Sequence, residues 1–111
     1  MAAFFDTFDV LVTPTMGRPA PRLGVLPTDD HDVDGFLAKL FALAPFAAPF
    51  NASGQPAVSL PLHWSADGLP VGVQFAGRYG DDAALLQLAR QLEEAQPWAH
   101  RRPKLTQTIA A

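Results

Sequence analysis

The sequence predicts an α/β fold with about three strands, two of them in one hairpin, and two main helices. Residues alternate in character over Ala57–Leu62 and Val71–Gly77, which indicates two strands, and the Asp67-Gly68 pair between them favours an antiparallel turn. Two apolar stripes at three- and four-residue spacing indicate the helices. The predicted order is strand, helix, strand, strand, helix.

The first strand is predicted at Val10–Val12 and ends near Thr13. Pro14 follows, and proline cannot donate a ladder hydrogen bond within a central strand. Residues 14–27 contain four prolines and two glycines with no apolar period, so we interpret them as a long loop. A loop of this length within a compact domain usually packs against something or carries function.

The first main helix is predicted from about Asp30 to Ala44 and is stopped by Pro45. Side-chain oxygens suited to an N-cap are offered by Thr28, Asp29 and Asp30. A glycine inside this helix, Gly35, weakens it. The apolar stripe consists of Val33, Phe36, Leu37, Leu40, Phe41 and Ala44.

The second main helix is predicted to begin at Asp81 and Asp82, after Gly80, and to stop at Pro97. Its apolar stripe consists of Ala84, Leu85, Leu88, Ala89, Leu92 and Ala95. The segment after it has no period. We therefore expect residues 1–103 to form the folded part of the chain and residues 104–111 to form a flexible tail.

Composition limits the classes of function. The chain has 111 residues, about the length of one domain, with 11 acidic and 8 basic residues and a net charge of −3. It lacks a basic cluster suited to DNA or RNA, and no apolar run approaches the roughly 20 residues that span a bilayer. There is no cysteine, so nothing calls for an oxidising compartment. We expect a cytoplasmic protein without nucleic-acid or membrane partners.

An acidic run at residues 29–34, interrupted by His31, raises the hypothesis of a metal site. The run lacks the glycine and the closing glutamate of a calcium loop. Carboxylates at the start of a helix are also explained by the helix dipole. The simpler interpretation is a capped helix start without a metal.

A serine-histidine pair in the predicted hairpin loop raises the hypothesis of a hydrolytic triad. His63 and Asp67 flank Ser65 in this segment. A triad needs a base in hydrogen-bond reach of the serine and a third group that orients the base. No strained strand-to-helix turn surrounds Ser65, so solvated loop residues are the simpler interpretation.

Four stretches of the chain form a recognisable set: DVLVTPT at residues 9–15, APFNASGQPAVSLPL at 48–62, GLPVGVQFAGRYGDDAALLQLARQLE at 68–93 and RRP at 101–103. Taken together, they resemble the C-terminal quarter of amidase signature enzymes. They occur in the family's order and cover nearly the whole chain. The resemblance implies that residues 1–103 are the C-terminal segment of an amidase domain, within a mixed β-sheet between layers of helices.

The resemblance also implies hydrolysis of carboxylic amides without a cofactor. In similar enzymes a serine nucleophile, a second serine in a cis peptide and a lysine base lie in the N-terminal half. This chain has no adjacent serines and no lysine before Lys39. We therefore expect it to be inactive alone and to need polypeptide that supplies the catalytic residues.

The resemblance implies two groups of site residues. In similar enzymes the residues before the motif asparagine line the acyl side of the substrate channel; here these are Phe46, Ala47 and Phe50. The alternative is that both rings are core residues. Structural roles are implied for Asn51 as a cap, Gly54 as a special backbone position and Pro56 at the entry to the strand.

A sheet of three strands with two helices leaves edges and an apolar face uncovered, which invites association. We expect a homo-oligomer or a complex with the missing amidase half. Loss of the partner would then expose a stripe formed by Phe36, Leu37, Leu40 and Phe41. The second hypothesis is an interaction module derived from an amidase, and the third is an independent hydrolase that uses Ser65 and His63.

Overall fold

A computed structural model describes residues 1–29 and 31–102 of the chain. Its elements follow in the order helix, strand, two helices, two strands and helix. Their bounds are α1 Ala2–Phe5, β1 Leu11–Pro14, α2 Val33–Leu43, α3 Ala48–Ser53, β2 Ala57–Trp64, β3 Pro70–Ala76 and α4 Asp82–Ala95. The predicted α/β arrangement with three strands and two main helices, α2 and α4, is confirmed.

The three strands form one antiparallel sheet in the order β1-β3-β2. β1 therefore lies at an edge of this sheet, where proline is tolerated because no ladder donor is required on the outer side. This explains why β1 continues through Pro14, which pairs with Val73, instead of ending near Thr13. The other edge strand, β2, contains Pro61 within an irregularity between Leu60 and His63.

The predicted hairpin is confirmed, with β2 and β3 paired from Ala57↔Ala76 to Trp64↔Pro70. Its turn is closed by the Ser65 N–H, which donates to the Leu69 carbonyl at 2.9 Å. Gly68 N–H in turn donates to the Ser65 carbonyl at 2.9 Å. The longish loop around Asp67-Gly68 is thus a hydrogen-bonded turn.

The hydrophobic core lies between one face of the sheet and α4. Leu60 from β2, Phe75 from β3 and Leu85 from α4 are all buried and form its centre. Partly buried apolar residues pack around them: Val10, Val58, Leu62, Val73, Leu88, Ala89, Leu92 and Trp98. The apolar sides of β2 and β3, which recur every two residues, face the apolar stripe of α4, which recurs every three to four residues.

The first main helix begins later than predicted. α2 starts at Val33, and its N-cap is Asp32, whose Oδ1 accepts the Gly35 N–H at 3.0 Å. Thr28 and Asp29 precede the helix, and Asp30 lies outside the described residues. The carboxylate nearest to the free N–H groups of the first turn serves as the cap, while the others precede it.

Two short helices were not predicted. α1 spans four residues and α3 spans six, and neither is long enough to show an apolar period. α1 buries Phe5, which is 2% exposed, and the Arg78 guanidinium donates to the Phe5 carbonyl at 2.6 Å. α1 is thereby attached to the segment after β3.

The predicted tail, residues 104–111, lies outside the described residues. Within the described part of the chain, no helix combines the length and apolar character needed to cross a bilayer.

Candidate functional site

The face of the sheet opposite α4 carries small and polar side chains, apart from Leu11, which pairs with Ala76. The strand register places Thr13 of β1 beside Gln74 of β3, and Gln74 beside Ser59 of β2. Ala57 and Ala76 pair on the same face. We call this surface, formed by Thr13, Thr15, Ala57, Ser59, Gly72, Gln74 and Ala76, the polar face of the sheet.

A hydrogen bond crosses the central strand on the polar face. Thr15 Oγ1, just after β1, and Ser59 Oγ of β2 lie 2.6 Å apart, although β3 runs between β1 and β2. The two side chains meet above Gly72, where a Cβ atom would lie 2.6 Å from each of these oxygens. Thr15 N–H also donates to the Gly72 carbonyl at 3.1 Å. Glycine at this strand position therefore permits the contact between the two edge strands.

Gln74 is the buried polar residue of the polar face, with 6% of its surface exposed. Its Nε2 donates to Thr13 Oγ1 at 3.1 Å and to the Phe46 carbonyl at 3.2 Å. A buried amide must find such partners, because an unpaired one costs about 1–3 kcal/mol. Gln74 thereby links β1, β3 and the segment that leads into α3.

The segment 45–50 holds the residues that the resemblance implies for the substrate channel. Phe50 is buried at 5% exposure, whereas Phe46 and Ala47 are partly buried. Ala47 is the N-cap of α3 but has no side-chain cap bond, and its carbonyl accepts the N–H groups of Phe50 and Asn51. Phe50 therefore occupies an interior position, whereas Phe46 and Ala47 lie partly at the surface. A role for the three residues as channel wall stays a prediction.

The three motif residues after Phe50 occupy distinct positions. Asn51 lies inside α3 and is exposed, whereas the N-cap of that helix is Ala47. A role for Asn51 as a cap stays a prediction. Gly54 is the C-cap with φ 72°, a left-handed conformation that a residue with a Cβ adopts only with strain. Pro56 directly precedes β2, and its carbonyl accepts the Gly77 N–H at 3.0 Å.

A cleft of about 460 Å³ opens beside the end of α3. Its walls come from α1, from the turn after α3 and from the segment after β3: Met1, Ala2, Phe5, Asp6, Ser53, Gln55, Arg78 and Tyr79. Ser53 Oγ donates to the buried Gln55 Oε1 at 2.8 Å, which fixes both side chains at this wall.

Ser65 and His63 do not form a nucleophile and base. Ser65 Oγ accepts the Leu69 N–H at 3.1 Å and so stabilises the hairpin turn. Within residues 1–29 and 31–102, no hydrogen bond joins His63 to Ser65. The third hypothesis, a hydrolase that uses this pair, therefore lacks the required geometry.

The described carboxylates of the acidic run are arranged at the start of a helix. Among the residues that the structure describes, no group of three or more His, Cys, Asp or Glu side chains converges on a common point. Asp32 instead accepts the Gly35 N–H as the N-cap of α2. The helix start accounts for Asp32 as the cap and for Asp34 in the first turn.

The apolar stripe of α2 faces outward. Val33 is 62% exposed, Phe41 is 57%, and Leu37 and Leu40 are 39% and 36%. Only Leu43 of this helix is buried. We call Val33, Leu37, Leu40 and Phe41 the α2 face; large apolar side chains that are grouped and exposed in this way mark a surface suited to protein contact.

Sequence reasoning missed the hydrogen bonds of the polar face. Gln74 lies between Val73 and Phe75 in a strand whose alternate positions are glycine, glutamine and alanine. A single amide among small residues on a covered face signals a buried polar group that needs partners. That signal identifies Gln74, but the partners Thr13 and Phe46 depend on the tertiary structure.

The chain is similar in sequence to amidases and to a related hydrolase. The chain matches the amidase family model over residues 1–86. It is 50% identical over 99 residues to a putative amidase AmiC of Mycobacterium leprae, covering 88% of this chain and 20% of that protein. It is 45% identical over 103 residues to a 6-aminohexanoate-cyclic-dimer hydrolase of Paenarthrobacter ureafaciens, covering 88% and 21%.

Solved structures agree with the sequence relatives. A 6-aminohexanoate cyclic dimer hydrolase superposes with a TM-score of 0.76 at 40% identity, over 92% of this chain and 22% of that one. A glutamyl-tRNA(Gln) amidotransferase subunit from Thermotoga maritima superposes with a TM-score of 0.68 at 30% identity, over 86% and 19%. The chain spans about one fifth of the length of the curated relatives it matches.

Proposed function

Because the chain belongs to the amidase family, we propose that it forms the C-terminal portion of an enzyme that hydrolyses carboxylic amides. The observation that carries the proposal is the match of residues 1–86 to the amidase family model, beside relatives of which the chain spans about one fifth. The groups that break the bond, two serines and a lysine in this proposal, belong to polypeptide outside the 111 residues. This chain supplies scaffold and one wall of the substrate channel, and hydrolyses no amide alone.

The wall consists of Phe46, Ala47 and Phe50. A channel with an apolar wall favours an amide with a hydrophobic or aromatic acyl group, since ligand sites are lined mainly by apolar side chains. Asn51, Gly54 and Pro56 then belong to the framework that turns the chain from α3 into β2. The site in this proposal needs no cofactor.

The exposed α2 face supports an interface with the rest of an amidase. Burying four large apolar side chains there would contribute on the order of several kcal/mol to association, at about 25 cal/mol for each Å² of apolar surface. The absence of cysteine fits a reducing compartment, and we propose the cytoplasm.

Fragment complementation tests the proposal. An amidase relative that lacks its matching fifth is mixed with the purified chain, and release of product from an aryl amide is followed. We expect turnover only in the mixture, and Ser65→Ala should leave it unchanged because Ser65 only stabilises the hairpin turn. Turnover by the chain alone, sensitive to Ser65→Ala, would replace this function by an independent hydrolase.

A second candidate function is an interaction module that self-associates. The exposed α2 face and the two sheet edges favour it. Sedimentation of the purified chain over a range of concentrations separates the two candidates. A concentration-dependent oligomer that does not complement the truncated amidase favours the module, whereas a strict monomer that complements it excludes the module.

A further inference from the structure

The side chain of Gln74 joins the sheet to the backbone of the proposed channel wall. The two donated bonds, to Thr13 Oγ1 and to the Phe46 carbonyl, use both hydrogens of one amide group. The amide is therefore held from both sides. Its burial, at 6% exposure, keeps water from replacing either partner.

Phe46 lies in the segment between α2 and α3, outside both helices. α3 begins at Ala48, so Phe46 precedes the helix and lacks its hydrogen bonds. The N-cap Ala47 has no side-chain bond that would fix the entry into the helix. The bond from Gln74 thus holds the carbonyl at the point where the chain leaves Pro45 and turns into α3.

We propose that Gln74 is a positioning residue that sets where Phe46, and with it the channel wall, lies relative to the sheet. The bonds from Gln74 Nε2 to Phe46 and Thr13 carry the proposal. Its consequence for substrate binding rests on the proposed function. The contact itself does not, because it exists within this chain.

Thr13 contributes to the same arrangement. Its hydroxyl accepts a hydrogen bond from Gln74 and belongs to the edge strand β1. The sheet therefore orients the amide group that donates to the Phe46 carbonyl. The result is a chain of contacts from β1 through β3 to the entry of α3. A substitution at Gln74 should move Phe46 and leave α4, on the opposite face of the sheet, unaffected.

The first experiment uses the unmodified 111-residue chain. Nuclear magnetic resonance should show the two side-chain amide protons of Gln74 exchanging slowly with solvent and giving cross-relaxation to Phe46 or Ala47. Fast exchange without any such contact would overturn the proposal. This measurement does not depend on the folding of a variant or on activity.

The second experiment compares Gln74→Met and Gln74→Glu with the matched controls Gln87→Met and Gln87→Glu. Gln87 is an exposed glutamine on α4. We expect the carbonyl carbon of Phe46 and the amide nitrogen of Ala47 to shift in both Gln74 variants and in neither control. Unchanged signals at residues 45–50, or shifts spread equally over α4, would contradict a positioning role.

Gln74→Glu offers a rescue that a purely structural role does not predict. A neutral carboxyl group can donate one hydrogen bond to the Phe46 carbonyl, whereas a carboxylate can only accept. As the pH falls and the introduced carboxyl takes up its proton, the Phe46 signal should return toward its wild-type position. A Phe46 signal that does not respond to this protonation would count against the proposal.

The consequence for substrate is measured in the complemented enzyme. Loss of one net hydrogen bond that positions the wall should raise KM for an aryl amide by about fivefold, with a smaller change in kcat. If the Phe46 signal shifts but KM is unchanged, the contact between Gln74 and Phe46 is supported and its role in substrate binding is refuted. If the fragments do not complement, the proposed function fails while the magnetic resonance result still decides the position of Phe46.

Discussion

Replacing Gly72 by alanine should destabilise the sheet because the new methyl group would overlap two hydroxyl groups. The added Cβ lies 2.6 Å from both Thr15 Oγ1 and Ser59 Oγ and 3.1 Å from Thr15 Cβ. The two hydroxyl groups must move apart to admit the methyl group, and their hydrogen bond of 2.6 Å is lost. Rotation of the two hydroxyl groups relieves only part of the overlap, because Thr15 Cβ stays 3.1 Å from the new methyl group.

The magnitude follows from three contributions. Overpacking costs about 1–3 kcal/mol, and the lost hydrogen bond costs about 0.5–1.5 kcal/mol, near the low end because the pair is exposed. Alanine also reduces the entropy of the unfolded chain, which offsets about 0.4–1 kcal/mol. We expect the free energy of unfolding to fall by about 1–3 kcal/mol.

Urea unfolding followed by the fluorescence of Trp64 and Trp98 measures this change at a fixed protein concentration. The control is the same substitution in a Thr15→Ala/Ser59→Ala background, where both hydroxyl groups are absent. There the cost of Gly72→Ala should be smaller by about 1 kcal/mol or more. An equal cost in the two backgrounds would refute the overlap above Gly72 as its cause.

Three further substitutions test the other parts of the structure. Leu85→Ala should lower the free energy of unfolding by about 2–5 kcal/mol in urea titrations, because Leu85 is 3% exposed, whereas Leu86→Ala, at 67% exposure, should change it by less than about 0.5 kcal/mol. Asp32→Ala removes the N-cap of α2 and should cost about 1 kcal/mol, measured in the same way; no loss would contradict the cap. Phe41→Asp on the α2 face should weaken binding to the truncated amidase in sedimentation experiments, while Leu86→Asp should not, and equal binding of both variants would argue against this interface.

The sequence predicted the elements whose periodicity extends over several residues. The alternation of Val58 and Leu60 against Ala57 and Ser59 identified β2 and its buried side, because residues two apart share one face of a strand. The stripe containing Leu85 likewise identified the buried side of α4. Such periodicity is visible in the sequence because only one face of each element is buried, and the apolar residues of that face recur at regular spacing.

Features that depend on one or two residues were predicted less well. α3 was missed because six residues show less than two turns of period, and its Pro49 and Gly54 are equally typical of a turn. The predicted start of α2 is displaced because Thr28, Asp29, Asp30 and Asp32 all offer side-chain oxygens suited to a cap. Only the geometry of the free N–H groups selects Asp32.

The polar face illustrates a limit of a different kind. Its small residues indicated close approach of another segment, but not which one. The contacts of Gln74 with Phe46, and of Thr15 with Ser59, join residues that are 28 and 44 positions apart. Pairings at such separation are fixed by the strand order β1-β3-β2, which no local pattern contains.

The most direct test of the central claim is the reaction of the isolated chain with a fluorophosphonate that labels activated serines. The chain contains three serines, Ser53, Ser59 and Ser65, and intact-mass spectrometry detects an adduct on any of them. A full-length amidase relative under the same conditions serves as the positive control. We predict an unchanged mass for this chain; a stoichiometric adduct that requires the folded state would contradict the claim that the bond-breaking groups lie elsewhere.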